Sequence, residues 1–132
     1  MLYNIVDSWY IVLQVTHSKG GAHLDTTQML KGLLEGCILK IIQKKTVYGY
    51  EMITLLSTYG LNMVSEGSIY PILLKLQKQQ LILGEMRPSS EGPKRKYYTL
   101  TPSGEAYLQQ FEKQWTVIST GVNNIIEKEN EG

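Results

Sequence analysis

The chain has 132 residues, enough for one domain with a modest core, and its 42% hydrophobic and 19% charged residues are the balance of an ordinary globular protein. The single cysteine, Cys37, excludes an intrachain disulfide framework and fits a reducing, cytoplasmic setting; no apolar run is long enough to span a bilayer. The net charge of +1 excludes nothing, but its distribution is uneven: ten Lys or Arg face five acids between Lys31 and Lys96, and two Lys face five Glu from Glu105 onward.

Residues 1–25 stand apart from the rest of the chain. Their apolar run, MLYNIVDSWYIVLQVT, lacks a basic leader and carries Asp7 and Gln14, so a signal peptide is not expected. It ends in the polar stretch HSKGGAH, and the segment is read as an N-terminal extension outside the main module. Asp25, Thr26 and Thr27 then offer helix N-caps, and Met29/Leu30, Leu33/Leu34, Cys37/Ile38 and Ile41/Ile42 recur every four residues. That spacing predicts one amphipathic helix ending in the cations Lys44 and Lys45. TVYGYEMITLLSTYG predicts a second helix, with Gly49 breaking the connection before it and Gly60 placed to end it.

The third segment, SEGSIYPILLKLQKQQLILGE, opens with a helix start of unusual composition. Ser65 and Ser68 are both good caps, and the sequence does not choose between them. If Ser68 caps, Pro71 falls in the first turn and costs no helical bond; if Ser65 caps, Pro71 frees the Gly67 carbonyl and bends that turn. Either way the start offers unpaired backbone N–H groups, hydroxyls, the Tyr70 phenol and an unobstructed glycine. That combination suits the phosphates of a nucleic acid. Lys75 and Lys78 lie further along the same helix and are candidates for further contacts.

The period then changes. LILGEMR and KRKYYTLT read as two strands joined by the turn segment PSSEGP. Lys94, Arg95 and Lys96 stand together in the second strand, where alternation sends Lys94 and Lys96 to one side and Arg95 to the other. Of Tyr97 and Tyr98, alternation buries one and leaves the other on the hairpin face. Thr101 with Pro102 marks the start of a last helix. Along it Leu108, Phe111, Trp115, Ile118, Val122 and Ile125 follow at intervals of 3, 4, 3, 4 and 3. This is a coiled-coil-like seam, wide for one small domain to cover, and packing against a second copy would cover it.

Three helices, a hairpin and a long helix describe a mainly α fold with a small β-hairpin, a winged helix-turn-helix plus a long C-terminal dimerisation helix. The divisions expected are 1–25 for the extension, 26–100 for the DNA-binding domain and 101–132 for the dimerisation helix. The ordered set GLLEGCILKII…YGYEM, GSIYPILLKLQKQQLI and GPKRKYYTLTPSGEAYL, followed by a Trp-bearing helix, resembles the PadR-like transcriptional regulators over residues 29–126. It is similar to the short subfamily with one C-terminal helix. It departs at Glu66, where a proline is common, and over the first 28 residues.

The resemblance implies a homodimeric DNA-binding repressor, released when a small aromatic or lipophilic effector binds near the dimer interface; the two recognition helices of such a dimer are expected to engage a near-palindromic operator. The resemblance carries Ser68 and Tyr70 over as DNA contacts. The expected DNA-binding set is therefore Ser65, Gly67, Ser68, Tyr70, Lys75, Lys78, Lys94, Arg95 and Lys96. Leu108, Phe111, Trp115, Ile118, Val122 and Ile125 are expected to form the dimer interface, with Trp115 and Phe111 beside the effector. The alternatives are a winged helix serving only as a protein-interaction module, and a DNA-binding regulator without a ligand. An enzyme is not expected. His17 and His23, the only histidines, precede the predicted domain, and neither phosphate-loop nor metal-ligand spacing is present, so no cofactor is implied.

Overall fold

The structure, a computed structural model, describes residues 22–90 and 92–129. The N-terminal extension thus lies almost wholly outside the described residues. Element order is α1 (Thr26–Leu30), α2 (Leu34–Lys44), β1 (Val47–Tyr48), α3 (Gly49–Thr58), α4 (Glu66–Lys78), β2 (Ile82–Ser89), β3 (Gly92–Leu100) and α5 (Pro102–Glu127).

The single first helix expected from the four-residue repeat is two. Asp25 caps α1, accepting from the N–H groups of Thr27 at 3.0 Å and Gln28 at 3.4 Å. The chain then tightens through Lys31–Leu33, where the Leu33 N–H bonds the Leu30 carbonyl at 2.8 Å. Gly32 stands in this turn; no residue of α1 is fully buried, Leu30 packs only partly buried against the core, and the first buried residue is Leu34. From there α2 runs through the centre, burying Leu34, Ile38, Leu39, Ile41 and Ile42.

Helix α3 contributes Met52 and Leu56 to the core, and α4 contributes Ile69, Leu73 and Leu76. Gly60 ends α3 as expected, at φ +100°, with the Leu61 N–H bonding the Leu56 carbonyl at 2.9 Å. The same closing motif ends α4 with a non-glycine residue, Gln80, at φ +59°.

The expected hairpin is part of a three-stranded antiparallel sheet in the order β1-β3-β2. The added strand is two residues long and pairs Val47 with Tyr98 and Tyr48 with Tyr97. One sheet face turns into the core with Val47, Ile82 and Tyr98. The other carries Tyr48, Glu85, Arg87, Arg95 and Tyr97, with Arg87 directly opposite Arg95. The outer strand β2 loses register between Arg87 and Ser89, where Pro88 interrupts it, which blunts the exposed edge.

Helix α5 starts from a knot of hydrogen bonds. The Thr101 hydroxyl donates to the Gln80 carbonyl at 2.7 Å and accepts from the Gly104 N–H at 2.9 Å. Its N–H donates to the Leu81 carbonyl at 3.1 Å. Lys40 pairs with Glu112 at 2.8 Å and the Gln43 amide donates to Glu105 at 2.7 Å, tying α5 along α2. Only Gly104 and Leu108 of its 26 residues are buried, so its distal half leaves the protomer's core.

Candidate nucleic-acid interface

Ser65 is the N-cap of α4, which decides between the two serines. Its hydroxyl lies 3.2 Å from that of Ser68 and makes no capping bond to the backbone. The first-turn N–H groups therefore keep no side-chain acceptor, and the positive end of the helix faces outward. Pro71 lies inside the helix and takes a donor away from the Gly67 carbonyl. A side chain at Gly67 would meet only the Ser65 hydroxyl, 3.9 Å away, so the helix tip is open. Tyr70 is exposed one turn on, beside the start of α3: a Cβ at Gly49 would lie 3.2 Å from its ring.

The sheet brings the cations to the same place. A cleft of about 370 Å³ is lined by Tyr48, Gly49, Tyr50, Tyr70, Arg95, Lys96 and Tyr98. The Arg95 guanidinium stacks on the Tyr48 ring at 4.4 Å, and Arg87 lies 5.5 Å from the Tyr97 ring. The two rings meet edge to face with centroids 5.5 Å apart. Cation–π contacts of this kind hold two arginines side by side despite their like charge; Glu85 accepts from Arg87 at 3.2 Å and adds a counter-charge. Lys96 lies on the opposite face of β3, over Gly84 and close to Gln77 of α4, and a Cβ at Gly84 would collide with its stem. Tyr98 is the buried member of the tyrosine pair and Tyr97 the one on the hairpin face. Burial, and secondarily the neighbouring Tyr70 phenol, push the Tyr98 phenol above its ordinary value.

Ser65, Gly67, Ser68 and Tyr70 thus share the start of α4, and of these Tyr70 lines the cleft with Arg95 and Lys96; Lys94 is exposed one residue further out on β3. Two predicted contacts lie elsewhere. Lys75 reaches Glu35 of α2 at 2.6 Å, which binds α4 to the central helix. Lys78 stands in the last turn of α4, about 15 Å along the axis from Ser68 at 1.5 Å per residue. Tyr48 and Arg87 were not expected in the site. Their signal is strand register, which a two-residue strand and an interrupted edge strand do not display in sequence.

The predicted seam also divides. Leu108 is 1% exposed within its own chain, so it belongs to the core and not to a free interface, correcting the expectation for that residue. Phe111 is half-buried against α2, where Gly36 leaves room for its ring and any Cβ would overlap it. Trp115 is 45% exposed and lines an apolar groove of about 530 Å³ with Cys37, Ile41, Tyr59, Leu61 and Phe111. Ile118, Val122 and Ile125 continue along α5, exposed, as are Val117 and Ile126. Among the described residues no helix is long and apolar enough to cross a membrane, and no His, Cys, Asp and Glu cluster is arranged to hold a metal.

Three core helices, the third with an open N-terminus, and a basic hairpin make a winged helix-turn-helix, a DNA-binding class of fold. The profile of the family described as "Transcriptional regulator PadR-like family" matches residues 38–110, and the chain belongs to that family. Its members are regulators of transcription that bind DNA, not enzymes. A solved PadR-like transcriptional regulator from Bacillus cereus is 55% identical and superposes with a TM-score of 0.71, covering 77% of this chain and 99% of that one. A Streptococcus transcriptional regulator is 46% identical with a TM-score of 0.69, covering 76% and 98%. An uncharacterised protein from Lysinibacillus sphaericus is 31% identical over 103 residues, covering 76% of this chain and 94% of that protein.

Proposed function

We propose that the chain acts as a homodimeric repressor, bound to a near-palindromic operator through two copies of the α4 tip and the β2–β3 hairpin. The observation that carries this reading is that Tyr70, Arg95 and Lys96 line one cleft although they come from two separate elements. The α4 tip would enter the major groove and the hairpin arginines would reach phosphate or the adjacent minor groove. Half-sites would lie about one helical turn, or ~10 bp, apart. The exposed Trp115, Ile118, Val122 and Ile125 support pairing of α5 with its copy across a twofold axis. The groove beside Trp115 and Phe111 would take a planar aromatic or lipophilic effector. By binding one dimer arrangement better than the other, that effector would move the two tips out of register with the half-sites. The site of action would be the cytoplasm.

Anisotropy of a labelled duplex carrying DNA from upstream of the protein's own gene, measured against salt, tests the DNA reading. Binding that falls steeply with salt, and falls again in a Tyr70→Phe, Arg95→Ala variant of unchanged oligomeric state, is the expected result. A salt-independent or absent interaction would instead support a protein-interaction module. Quenching of Trp115 by planar aromatics, in a chain with Trp9 replaced by Phe, tests the effector; no response across a broad panel would leave a regulator without a ligand.

A further inference from the structure

The apolar groove between α2, α3 and α5 lies where the chain enters the fold. Leu30, Leu33, Cys37, Ile41, Phe111 and Trp115 line its volume of about 530 Å³. Leu30 ends α1 and Leu33 stands in the turn after it, so the chain preceding α1 arrives beside one end of the groove. From Leu33 to Lys44, which both line it, α2 advances about 16 Å at 1.5 Å per residue. Its charges are uneven. Lys40 is paired with Glu112 at 2.8 Å, whereas the Lys44 ammonium rests over the Tyr59 ring at 4.9 Å. The groove thus offers an apolar floor with a cation at the end far from α1.

The chain ahead of the described residues carries the complement. Residues 9–13 read WYIVL, five apolar side chains in succession, and Asp7 is the only acid before Asp25. Laid out as a strand, residues 7–13 advance about 20 Å at ~3.3 Å per residue, close to the length of the groove. The connection QVTHSKGGAHLD, residues 14–25, can span up to about 40 Å, enough for the chain to turn back.

We infer that residues 7–13 of this chain dock in the groove of their own protomer. They run against the direction of α2, with the WYIVL side chains on the floor beside Cys37 and Trp115 and with Asp7 at Lys44. A short tether holds the run at an effective concentration on the order of millimolar, which favours it over a second copy. Pairing of two protomers uses the exposed Ile118, Val122 and Ile125 further along α5 and is compatible with this occupant. The inference is independent of DNA binding. To the effector reading it adds regulation of the same groove: a ligand entering there must displace the segment.

The test uses the full chain. Tyr10→benzoylphenylalanine places a photo-crosslinker in the run, and digestion with mass spectrometry maps where it attaches. A mixture of nitrogen-15-labelled and unlabelled chains separates links within one chain from links between two. Links are expected within one chain, to α2 between Cys37 and Lys44 or to α5 near Trp115. Cys37, the one cysteine of the sequence, supplies a second readout. Iodoacetamide should alkylate it about tenfold faster in an Ile11→Asp, Val12→Asp variant, because two aliphatic side chains no longer hold the groove closed. A urea melt of the variant checks that the fold is retained. Links to the sheet, to the distal half of α5 or to a second copy would overturn the docking. So would a Cys37 rate that the two substitutions leave unmoved. A failed panel of aromatic effectors changes neither readout, so loss of the effector reading and loss of the docked segment remain distinguishable.

Discussion

Gly104→Ala is the most informative single perturbation of the fold. Gly104 is the third residue of α5, and a Cβ there would overlap the Leu81 carbonyl oxygen, with the Leu81 carbonyl carbon at 3.1 Å and Leu100 Cδ2 at 3.2 Å. The obstacle is backbone, so it has no rotamer to yield. That carbonyl also accepts from the Thr101 N–H, while Thr101 caps the Gly104 N–H and bonds the Gln80 carbonyl. Relieving the overlap means lifting α5 off the start of β2 and straining these bonds together. Overpacking costs about 1–3 kcal/mol, a weakened cap about 1 kcal/mol and one backbone hydrogen bond about 1 kcal/mol. The better helix propensity of alanine returns about 1 kcal/mol, which leaves a net loss of roughly 3 kcal/mol. At a urea slope of about 1–3 kcal/mol per molar, the midpoint falls by between one and three molar. Urea melts followed by far-ultraviolet circular dichroism at one fixed protein concentration measure it. Gly121→Ala is the control on the same helix: nothing described lies within 4 Å of its Cβ, so it should gain up to about 1 kcal/mol. A Gly104→Ala midpoint at or above wild type would refute the packing of α5 against the chain leading into β2.

Tyr48→Leu should weaken duplex binding about two- to fivefold, because Arg95 loses the ring that holds it, worth about 0.5–1 kcal/mol at an exposed site; anisotropy at one salt concentration reads this, and the urea midpoint reports on the fold. Ile118→Glu should turn a dimer into a folded monomer in light scattering, since the residue is 52% exposed in the protomer and a symmetric seam would set two carboxylates near each other. Burial pushes the Tyr98 phenol up from 10.0. The folded state then holds its proton longer than the unfolded one, so its contribution is full below about pH 10 and declines as pH rises beyond it. Tyr98→Phe should flatten that alkaline loss in pH-dependent melts. Burial also pushes the Cys37 thiol up from 9.0, so iodoacetamide should alkylate it more slowly at pH 8 than it does a small free thiol.

The helices were legible because their apolar residues recur at helical spacing: Ile69, Leu73 and Leu76 are buried where the period puts them. The α4 tip and the Lys94–Lys96 run were legible because their chemistry is local. What stayed hidden depends on partners far apart in sequence. Val47 and Tyr48 are too few to show alternation, and they become a strand only because Tyr97 and Tyr98 lie alongside. The break at residues 31–33 was masked by a four-residue apolar repeat that continues straight across it. Lys75 carries no sign in its surroundings that Glu35, forty positions away, claims it. Leu108 fits the seam by spacing, but the first turns of a helix leaving the hairpin must first cover their own core.

Hydrogen exchange of the protein with and without duplex DNA tests the central claim most directly, because it reports where the duplex lies on the chain. Slowed exchange is predicted together at amides 66–70 of α4, 94–97 of β3 and the first turn of α3. Slowing confined to α5 or to the β2 edge, with those three segments unchanged, would contradict it.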